Sequence, residues 1–373
     1  MRFADIPGHD DVKNRLREMV DNDRLPHALV LEGIPGIHKW SLARATAAYI
    51  HCTDRQGGDS CGKCDACRQH ASFNHIDTFY SFPVVKINSK PTTSDDWAPE
   101  FRDFMTEEPL MDTSHWLARL GNANAQPQIY VEEASRLIER LNLKARNSRY
   151  KVVLMWLPER LHTSAANKLL KLIEEPYPDT LFIMSSDNPA AILPTIYSRT
   201  QRIAVRRYTD SEVAAILTTA QGVDAQAAAA AAQLAEGQLT AALNAAGKGT
   251  DRHVFFDLFT ALMRGAWQKK VRDLREWSLK VANLGREGAM AFYSYCAEMI
   301  RDNFVLNLGT DSLVSLNGDE MTFSRRFSPY INERNVEGFL ALMDSAREDT
   351  AANGNQKIIA FDLAVSAIIL LRK

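Results

Sequence analysis

The sequence has no long hydrophobic run and almost no net charge. Its longest apolar stretch, residues 358–371, has 14 residues and contains Asp362, whereas a membrane-spanning helix needs about 20. We therefore expect a buried helix there and no membrane partner. Lys and Arg number 44 against 46 Asp and Glu, so contact with a polyanion requires a local basic surface. The first residues are acidic and contain Pro–Gly where a secretion signal needs an apolar core, which predicts a cytoplasmic protein.

The chain is too long for one ordinary core. It has 373 residues, of which 46% are hydrophobic and 24% charged, which excludes wholesale disorder and predicts two or three folded domains. Strand-like and helix-like segments alternate over the first 200 residues, which predicts a parallel sheet covered by helices on both faces. These segments are residues 28–31, 41–50, 151–155, 164–173, 180–185 and 201–205. Residues 80–125, rich in proline, fit neither pattern and are expected to form an insertion or a long connection.

The pattern becomes helical after Tyr208. We expect an α/β domain at 1–207, a small helical domain at 208–249 and an all-helical domain at 250–373. The alanine-rich stretch before residue 232 favours a helix, with Leu234 and Leu239 on its buried side. Gly247 and Gly249 mark the end of this unit. Five aromatic residues of the last domain are interpreted as a mixture of core and partner surface: Phe255, Phe256, Phe259, Trp267 and Trp277.

A degenerate phosphate-binding loop follows the first strand. The pattern GxxxxGK[ST] is met by Gly33 and Lys39, and Gly36 lies within the loop. His38 stands where a glycine lets backbone N–H groups close around a phosphate, and Trp40 stands where a hydroxyl ligates Mg²⁺. We therefore do not expect ATP to bind productively. A chance match in an unrelated fold is the alternative.

The second half of such a site is also altered. The strand at 151–155 should be followed by an acid pair that holds the water shell of Mg²⁺, but Trp156 and Leu157 stand there. The nearest acid, Glu159, comes two residues later, after a proline. Two independent losses favour a nucleotide fold without nucleotide chemistry.

Four of the five cysteines lie within sixteen residues: Cys52, Cys61, Cys64 and Cys67. Four thiolates at this spacing predict a closed structural Zn²⁺ site, with an iron–sulfur cluster or redox-active thiols as alternatives. Asp65 and His70 are available to bond to the cysteine ligands from outside the site or to substitute for one of them. Cys296, alone on a predicted helix, is expected to be an inert core thiol.

Several motifs together resemble the clamp-loader subunits of bacterial DNA polymerase III, which belong to the AAA+ class, and in particular those of the delta-prime type. They are residues 8–27, the cysteine cluster, residues 150–153, residues 164–176 (SAANKLLKLIEEP) and Ser198-Arg199-Thr200. The resemblance is specific over residues 1–205, apart from 80–125, and is architectural beyond them. It implies an AAA+ RecA-like domain with a zinc module at 52–67, a helical lid at 208–249 and a helical collar at 250–373.

The resemblance also implies roles for single residues. Arg199 is expected to act as an arginine finger that reaches the ATP of a neighbouring subunit in trans, although a plain surface arginine is the alternative. Thr240 stands where the family has a nucleotide-contacting arginine. The implied partners are gamma/tau-type and delta-type subunits in a hetero-pentamer, the sliding clamp, and primer–template DNA through the assembly.

Two other interpretations remain open. An active clamp-loader ATPase would use Lys39 with Ser41 and Glu159, and a zinc-stabilised adaptor unrelated to replication would leave Arg199 without a role. Four basic residues between two predicted elements are candidates for DNA contact, with a solvated turn as the alternative: Lys144, Arg146, Arg149 and Lys151.

Overall fold

The computed structural model describes residues 1–86, 92–120, 126–246, 250–309, 314, 316, 318–352 and 354–372. They divide into two compact units. The first contains Met1–Leu120 and Ala125–Ala242, and the second is formed by the chain from Leu243 onward. The predicted boundary at 207/208 therefore falls inside the first unit, and we keep the separate lid as a proposal. Gly247 and Gly249, which are expected to end this lid, lie outside the described residues.

The first unit is built on a parallel sheet of five strands in the order β2-β3-β4-β1-β5, as the alternation predicts. The strands are β1 (Ala28–Glu32), β2 (Thr78–Ser81), β3 (Lys151–Trp156), β4 (Thr180–Ser186) and β5 (Gln201–Ala204). Every residue of β3 and β4 is buried, because helices cover both faces. In register, Val30 lies opposite Met184 of β4 and Leu31 opposite Ile203 of β5.

Eleven helices begin within the described part of this unit. They are α1 (Asp10–Asp21), α2 (Lys39–His51), α3 (Asp65–Ala71), α4 (Ala98–Glu107), α5 (Thr113–Arg119), α6 (Val131–Leu141), α7 (Thr163–Glu174), α8 (Pro194–Tyr197), α9 (Asp210–Gln221), α10 (Ala225–Leu234) and α11 (Leu239–Ala245). All residues of α2 are buried, so this helix lies in the core of the unit. Helices α6 and α7 pack their apolar sides against Val153 and Phe182 of the sheet.

The helical stretch after residue 208 begins where the sequence predicts. Thr209 Oγ1 accepts a hydrogen bond from the Glu212 amide at 3.2 Å, and Glu212 Oε2 accepts one from the Thr209 amide at 2.8 Å, which closes a capping box. The predicted buried side of α10 is wrong at Leu234, which is 59% exposed. The buried stripe contains Ala228 and residues 231–232, at helical spacing, and places Leu234 on the other side.

Residues 92–120 are helical rather than an irregular connection. A short 3-10 helix (Ser94–Trp97) precedes α4 and α5. The aromatic rings of these helices form a cluster: Phe101 stacks on Phe82 with centroids 3.6 Å apart, and Trp116 contacts Phe101 and Phe104 at 5.1 and 5.4 Å. The Trp116 indole N–H donates to the Pro83 carbonyl at 2.8 Å. This segment is therefore anchored to the unit by a buried aromatic core.

The described elements of the second unit are all helices, joined by short irregular segments. Its helices are α12 (Thr250–Gln268), α13 (Val271–Ala282), α14 (Gly285–Asn307), α15 (Gly318–Phe327), α16 (Val336–Ala351) and α17 (Gln356–Leu370). Helix α17 covers the apolar run of the sequence and is buried at Leu363 and neighbouring positions. No helix among the described residues is long and apolar enough to cross a membrane.

The aromatic residues of this unit serve mainly as core. Phe255, Phe259 and Trp277 are buried, whereas Trp267 is 55% exposed. Cys296 is fully buried, and burial raises the pKa of its thiol, as expected for an inert core residue.

The aromatic cluster of α4 yields the first prediction. Replacement of Phe101 by Ala should lower the free energy of unfolding by about 3–5 kcal/mol, because a cavity replaces a fully buried ring. Urea unfolding measures the change. The matched control is Ile76→Ala, since Ile76 is 43% exposed, and it should cost less than about 0.5 kcal/mol. Equal costs for the two variants would contradict a buried role for α4.

Candidate functional site

The loop between β1 and α2 contains two residues with positive φ. Gly36 has φ +73° and His38 has φ +60°, so His38 adopts the left-handed conformation that favours glycine. Its ring is held in place by Tyr208: His38 Nδ1 lies 2.8 Å from the Tyr208 hydroxyl, which donates to the Pro7 carbonyl at 3.0 Å. Burial lowers the pKa of His38 to about 4, so this ring is neutral at neutral pH.

Lys39 is engaged by the protein itself. Its side chain is only 3% exposed, and its ammonium lies 2.8 Å from Asp187 Oδ1, just after β4. The ammonium also donates to the Ile34 carbonyl of the loop. Burial lowers the pKa of Lys39, and the carboxylate of Asp187 opposes that shift. The charge that would meet a phosphate is therefore neutralised internally.

The start of α11 covers the same loop. The Leu239 amide donates to the Gly36 carbonyl at 3.2 Å, and a Cβ added to Gly36 would lie 2.4 Å from Thr240 Oγ1. Thr240, at the position where the resemblance implies a nucleotide-contacting arginine, is thus packed on the loop backbone. Gly237 permits this approach, since its φ is +79° and a Cβ there would lie 2.4 Å from the Tyr208 carbonyl.

Trp40 and Trp156, which stand where the sequence pattern predicts groups for Mg²⁺, lie in the aromatic core. Trp40 is 2% exposed and its ring centroid is 6.1 Å from that of Phe101; Trp156 is 1% exposed and lies 5.8 Å from Phe101 and from Phe104. Helix α4 therefore packs against the residues at both positions.

The two other groups that could serve a metal are also engaged. Ser41 is buried, and its hydroxyl donates to the Pro109 carbonyl at 3.1 Å. Glu159 Oε1 accepts from the amides of Asp187 and Asn188 at 2.9 and 3.0 Å, and burial raises the pKa of this carboxyl. Glu159 thus positions the residue that pairs with Lys39.

Arg199 lies on the surface, two residues after α8. Its side chain is 38% exposed, its guanidinium pairs with Glu174 at the end of α7, and Nη1 donates to the Thr195 carbonyl at 2.8 Å. The nearby Arg206 instead forms a two-point pair with Glu212 at 2.7 and 2.6 Å. Arg199 therefore presents a charged group to solvent on a short, hydrogen-bonded segment.

The four clustered cysteines converge as predicted. Cys61 and Cys67 have their sulfurs 3.9 Å apart, those of Cys52 and Cys64 are 4.0 Å apart, and all four lie within 4.8 Å of one another. A tetrahedral ion with sulfur ligands at about 2.3 Å needs neighbouring sulfurs about 3.8 Å apart. The described cysteines could therefore hold a metal ion.

Backbone amides point at the sulfurs of this cluster and lower the pKa of the Cys64 thiol, whereas burial raises the pKa of the Cys52 and Cys67 thiols. The Cys61 amide points at the Cys52 sulfur at 3.3 Å, and the Cys64 amide points at the Cys61 sulfur at 3.3 Å. Although burial opposes it, amide donation from Cys67 and Thr53 holds the pKa of Cys64 at about 6. Such donors favour the ionised form that binds a metal.

The two outer groups expected for this cluster do not serve it. Asp65 is exposed and pairs with Arg68, and His70 is hydrogen-bonded to His51, with 2.9 Å between ring nitrogens. Asp65 and His70 are near the cysteines in sequence, but in the structure their side chains bind Arg68 and His51 instead.

Three of the four basic candidates for DNA contact lie on the surface, and the fourth is buried. Lys144 and Arg146 are exposed, as is Arg149, which pairs with Asp23 at 3.1 Å. Lys151 is wrong as a surface candidate: it is buried, and its ammonium donates to the carbonyls of residues 141 and 143. These carbonyls follow the C-terminal end of α6, a position that favours a cation.

Two features were missed by sequence reasoning. Asp187 was not singled out, although its signal, an acid directly after a buried strand, is visible in the sequence. The three histidines His51, His70 and His75 were not seen as a group, because they belong to different elements and only the fold brings them together.

The Lys39–Asp187 pair yields the second prediction. Asp187→Ala should lower the free energy of unfolding by about 3 kcal/mol, because it leaves a buried ammonium unpaired. Adding Lys39→Met should recover most of that loss, because the double variant has no buried charge. Urea unfolding of the wild type, both single variants and the double variant measures the coupling. Additive effects would contradict a structural pair and leave Lys39 free for a ligand.

The known proteins that this chain resembles in sequence are subunits of DNA polymerase III. The family model for DNA polymerase III, delta subunit, matches residues 8–209, more than half of the chain. DNA polymerase III subunit delta' of Yersinia pestis is 31% identical over 175 residues, 46% of this chain and 39% of that protein. Subunit tau/gamma of Haemophilus influenzae is 22% identical over 380 residues, 95% of this chain and 48% of that protein.

The alignments therefore span less than half the length of these relatives. The match to the family model contains the sheet, the altered loop, the four cysteines and Arg199. The chain belongs to the DNA polymerase III delta subunit family and, by its relatives, is delta-prime-like.

Proposed function

We propose that this protein is a clamp-loader subunit that does not hydrolyse ATP and lends Arg199 to the ATP site of a neighbouring subunit. Its neighbours are gamma/tau-type and delta-type subunits in a hetero-pentamer that loads a sliding clamp onto primed DNA. Relatives bearing the names delta' and gamma/tau support membership of such an assembly. That this chain lends Arg199 while a neighbour hydrolyses ATP is inferred from the chemistry of the chain's own residues.

The observation that carries the proposal is the internal closure of the phosphate loop. The ammonium of Lys39 is satisfied by Asp187 and by the loop carbonyl of Ile34. An incoming triphosphate would have to break a buried ion pair before it met a positive charge. With Trp40 and Trp156 in the aromatic core, the site also lacks the groups that hold Mg²⁺. ATP binding is accordingly disfavoured.

The same contacts argue against the active-ATPase alternative. That interpretation needs Lys39 for phosphate, and Ser41 and Glu159 for the metal or the attacking water. Lys39 is paired, the Ser41 hydroxyl is directed to the Pro109 carbonyl, and Glu159 accepts two backbone amides. Each group would have to give up a buried partner.

Arg199 fits a role in trans because it is exposed and its segment is ordered by hydrogen bonds. Its partner Glu174 is 43% exposed, so the ion pair is largely solvated and weak. A phosphate oxygen brought by a neighbour can therefore compete for the guanidinium. Fixed positive charge at a transferring phosphoryl group accelerates the reaction by about 10³–10⁵.

The experiment that tests this role uses the reconstituted complex, with partner subunits whose own trans-acting arginines have been replaced. ATP turnover then depends on Arg199. Arg199→Ala should lower the rate by about 10³ or more, and Arg199→Lys should not restore it, because an ammonium lacks the planar fork of the guanidinium. The matched control is Arg202→Ala, an exposed arginine of the same region that lies 5.0 Å over the Tyr197 ring.

Two results would contradict the proposal. Unchanged turnover by an Arg199→Ala complex that still assembles would remove the role in trans. Saturable, Mg²⁺-dependent binding of a fluorescent ATP analogue to the isolated chain would favour the ATPase alternative. Assembly is checked by size-exclusion chromatography, so that lost turnover is not confused with a missing subunit.

The metal at the cysteine cluster is proposed to be a structural Zn²⁺. Four cysteine ligands form a closed shell that leaves no position for substrate. The ion would hold the knuckle at 52–67 together, where Gly62 has φ +71° and α3 begins directly after Cys64. It would supply folding free energy rather than catalysis.

Metal removal gives the corresponding prediction. The purified chain should contain one Zn²⁺ bound at the cysteines, and Cys64→Ser should lose that ion and lower the melting temperature by several degrees, because the closed shell needs all four sulfurs. Elemental analysis and thermal unfolding measure both. Cys296→Ser is the control, since it should leave the metal content unchanged. Retention of the ion by the Cys64→Ser variant would contradict the assignment.

We also propose surfaces that contact DNA and the other subunits. Lys144, Arg146 and Arg149 are exposed basic groups suited to phosphate contact. The helical region at 250–373 is proposed as the collar through which the subunits associate, and residues 208–249 as the lid. Trp267 is a large exposed apolar group of that collar.

A further inference from the structure

Three histidines of the first unit lie together and take no part in the function proposed above. His51 ends α2, His70 lies in α3, and His75 precedes β2. All three are buried, with no more than 5% of any residue exposed. Burial lowers the pKa of His70 to about 2 and also lowers that of His75. Both rings are therefore neutral at neutral pH, and a neutral imidazole is the form that binds a metal ion.

Hydrogen bonds to the backbone fix where the lone pairs lie. His51 Nε2 donates to the Tyr150 carbonyl at 2.9 Å, which leaves the lone pair of His51 on Nδ1. The Asp77 amide donates to His75 Nδ1 at 3.3 Å, so the lone pair of His75 is also on Nδ1, and an ion bound there would replace this long hydrogen bond. An imidazole whose second nitrogen is held by a backbone carbonyl is the usual arrangement of a metal-binding histidine.

The distances between these atoms suit a small cation. His51 Nδ1 lies 2.9 Å from His70 Nε2, and Thr78 Oγ1 lies 3.4 Å from His51 Nδ1 and 3.3 Å from His75 Nδ1. One nitrogen of each ring lies within 4.8 Å of the other two. A tetrahedral ion with nitrogen ligands at about 2.0–2.1 Å needs neighbouring ligand atoms about 3.4 Å apart.

The rings are stacked, with centroids 4.1–5.1 Å apart. Binding therefore requires the rings to turn until their lone pairs converge, and His70 to carry its proton on Nδ1. His75 and Thr78 also line a cavity of about 200 Å³, which gives an ion space beside the cluster. Hydration or the Thr78 hydroxyl can complete the coordination.

We propose that His51, His70 and His75 form a second metal site, separate from the cysteine cluster, that takes a divalent transition cation of intermediate softness such as Zn²⁺ or Co²⁺. Imidazole ligands suit these ions, whereas Mg²⁺ and Ca²⁺ prefer oxygen. The two sites differ in ligand chemistry, so one probe ion distinguishes them.

The test adds Co²⁺ to the full chain with Zn²⁺ already bound at its cysteines. One further equivalent of Co²⁺ should bind, and its spectrum should lack the thiolate-to-cobalt charge-transfer band that a cysteine site would give. His70→Gln and His75→Gln should each weaken this binding at least tenfold without removing the Zn²⁺. The control is His27→Gln, because His27 is exposed and outside the cluster.

Three results would overturn the proposal: no further ion bound at a hundredfold excess of Co²⁺, a charge-transfer band of cysteine ligation, or undiminished binding by the histidine variants. Should those variants fail to fold, crystals of the unchanged chain soaked in Zn²⁺ decide the question. An anomalous peak between the three rings supports the site, and peaks confined to the cysteines refute it.

Discussion

The inner position of β1 is the constraint on which the site depends. This strand is hydrogen-bonded to β4 on one side and β5 on the other, and the Val205 amide continues the ladder by donating to the Glu32 carbonyl at 2.8 Å. Because the carboxyl ends of parallel strands meet at one edge, the loop at 33–38 and Asp187 are brought together there. The same edge would hold a nucleotide in an active relative of this fold.

Two acidic side chains at that edge, Asp187 and Glu159, stabilise the loop and the turn opposite it. The buried ammonium of Lys39 would be an uncompensated charge by itself, and the carboxylate of Asp187 compensates it. Glu159, with its pKa raised by burial, accepts the Asp187 and Asn188 amides and so fixes the turn that carries the partner. The loop thus keeps its fold through internal electrostatics instead of a bound anion.

The sequence predicted the parts of the fold that local periodicity encodes. Buried strands, the start of the helical stretch after Tyr208 and the convergence of the four cysteines depend on neighbours in the chain, and the structure confirms them. Contacts between distant residues carry no such signal. Asp187 pairs with a lysine 148 positions earlier. Lys151, the first residue of β3, is predicted at the surface because its sequence neighbours do not show that its ammonium meets the carbonyls of Leu141 and Leu143 at the end of α6. Helices α4 and α5 were missed since their apolar residues complete a core begun elsewhere.

That core joins the helical segment at 92–120 to the helix after β1 and to the end of β3. Trp40 and Trp156, at the two positions where the sequence pattern predicts groups for Mg²⁺, both pack against Phe101. Replacing Trp40 by threonine would leave a cavity that costs about 3–5 kcal/mol. Because Trp40 and Trp156 share Phe101 as a neighbour, a change at either position disturbs the same aromatic core. Packing against α4 therefore accounts for both tryptophans and joins two distant segments of the sequence in one structural unit.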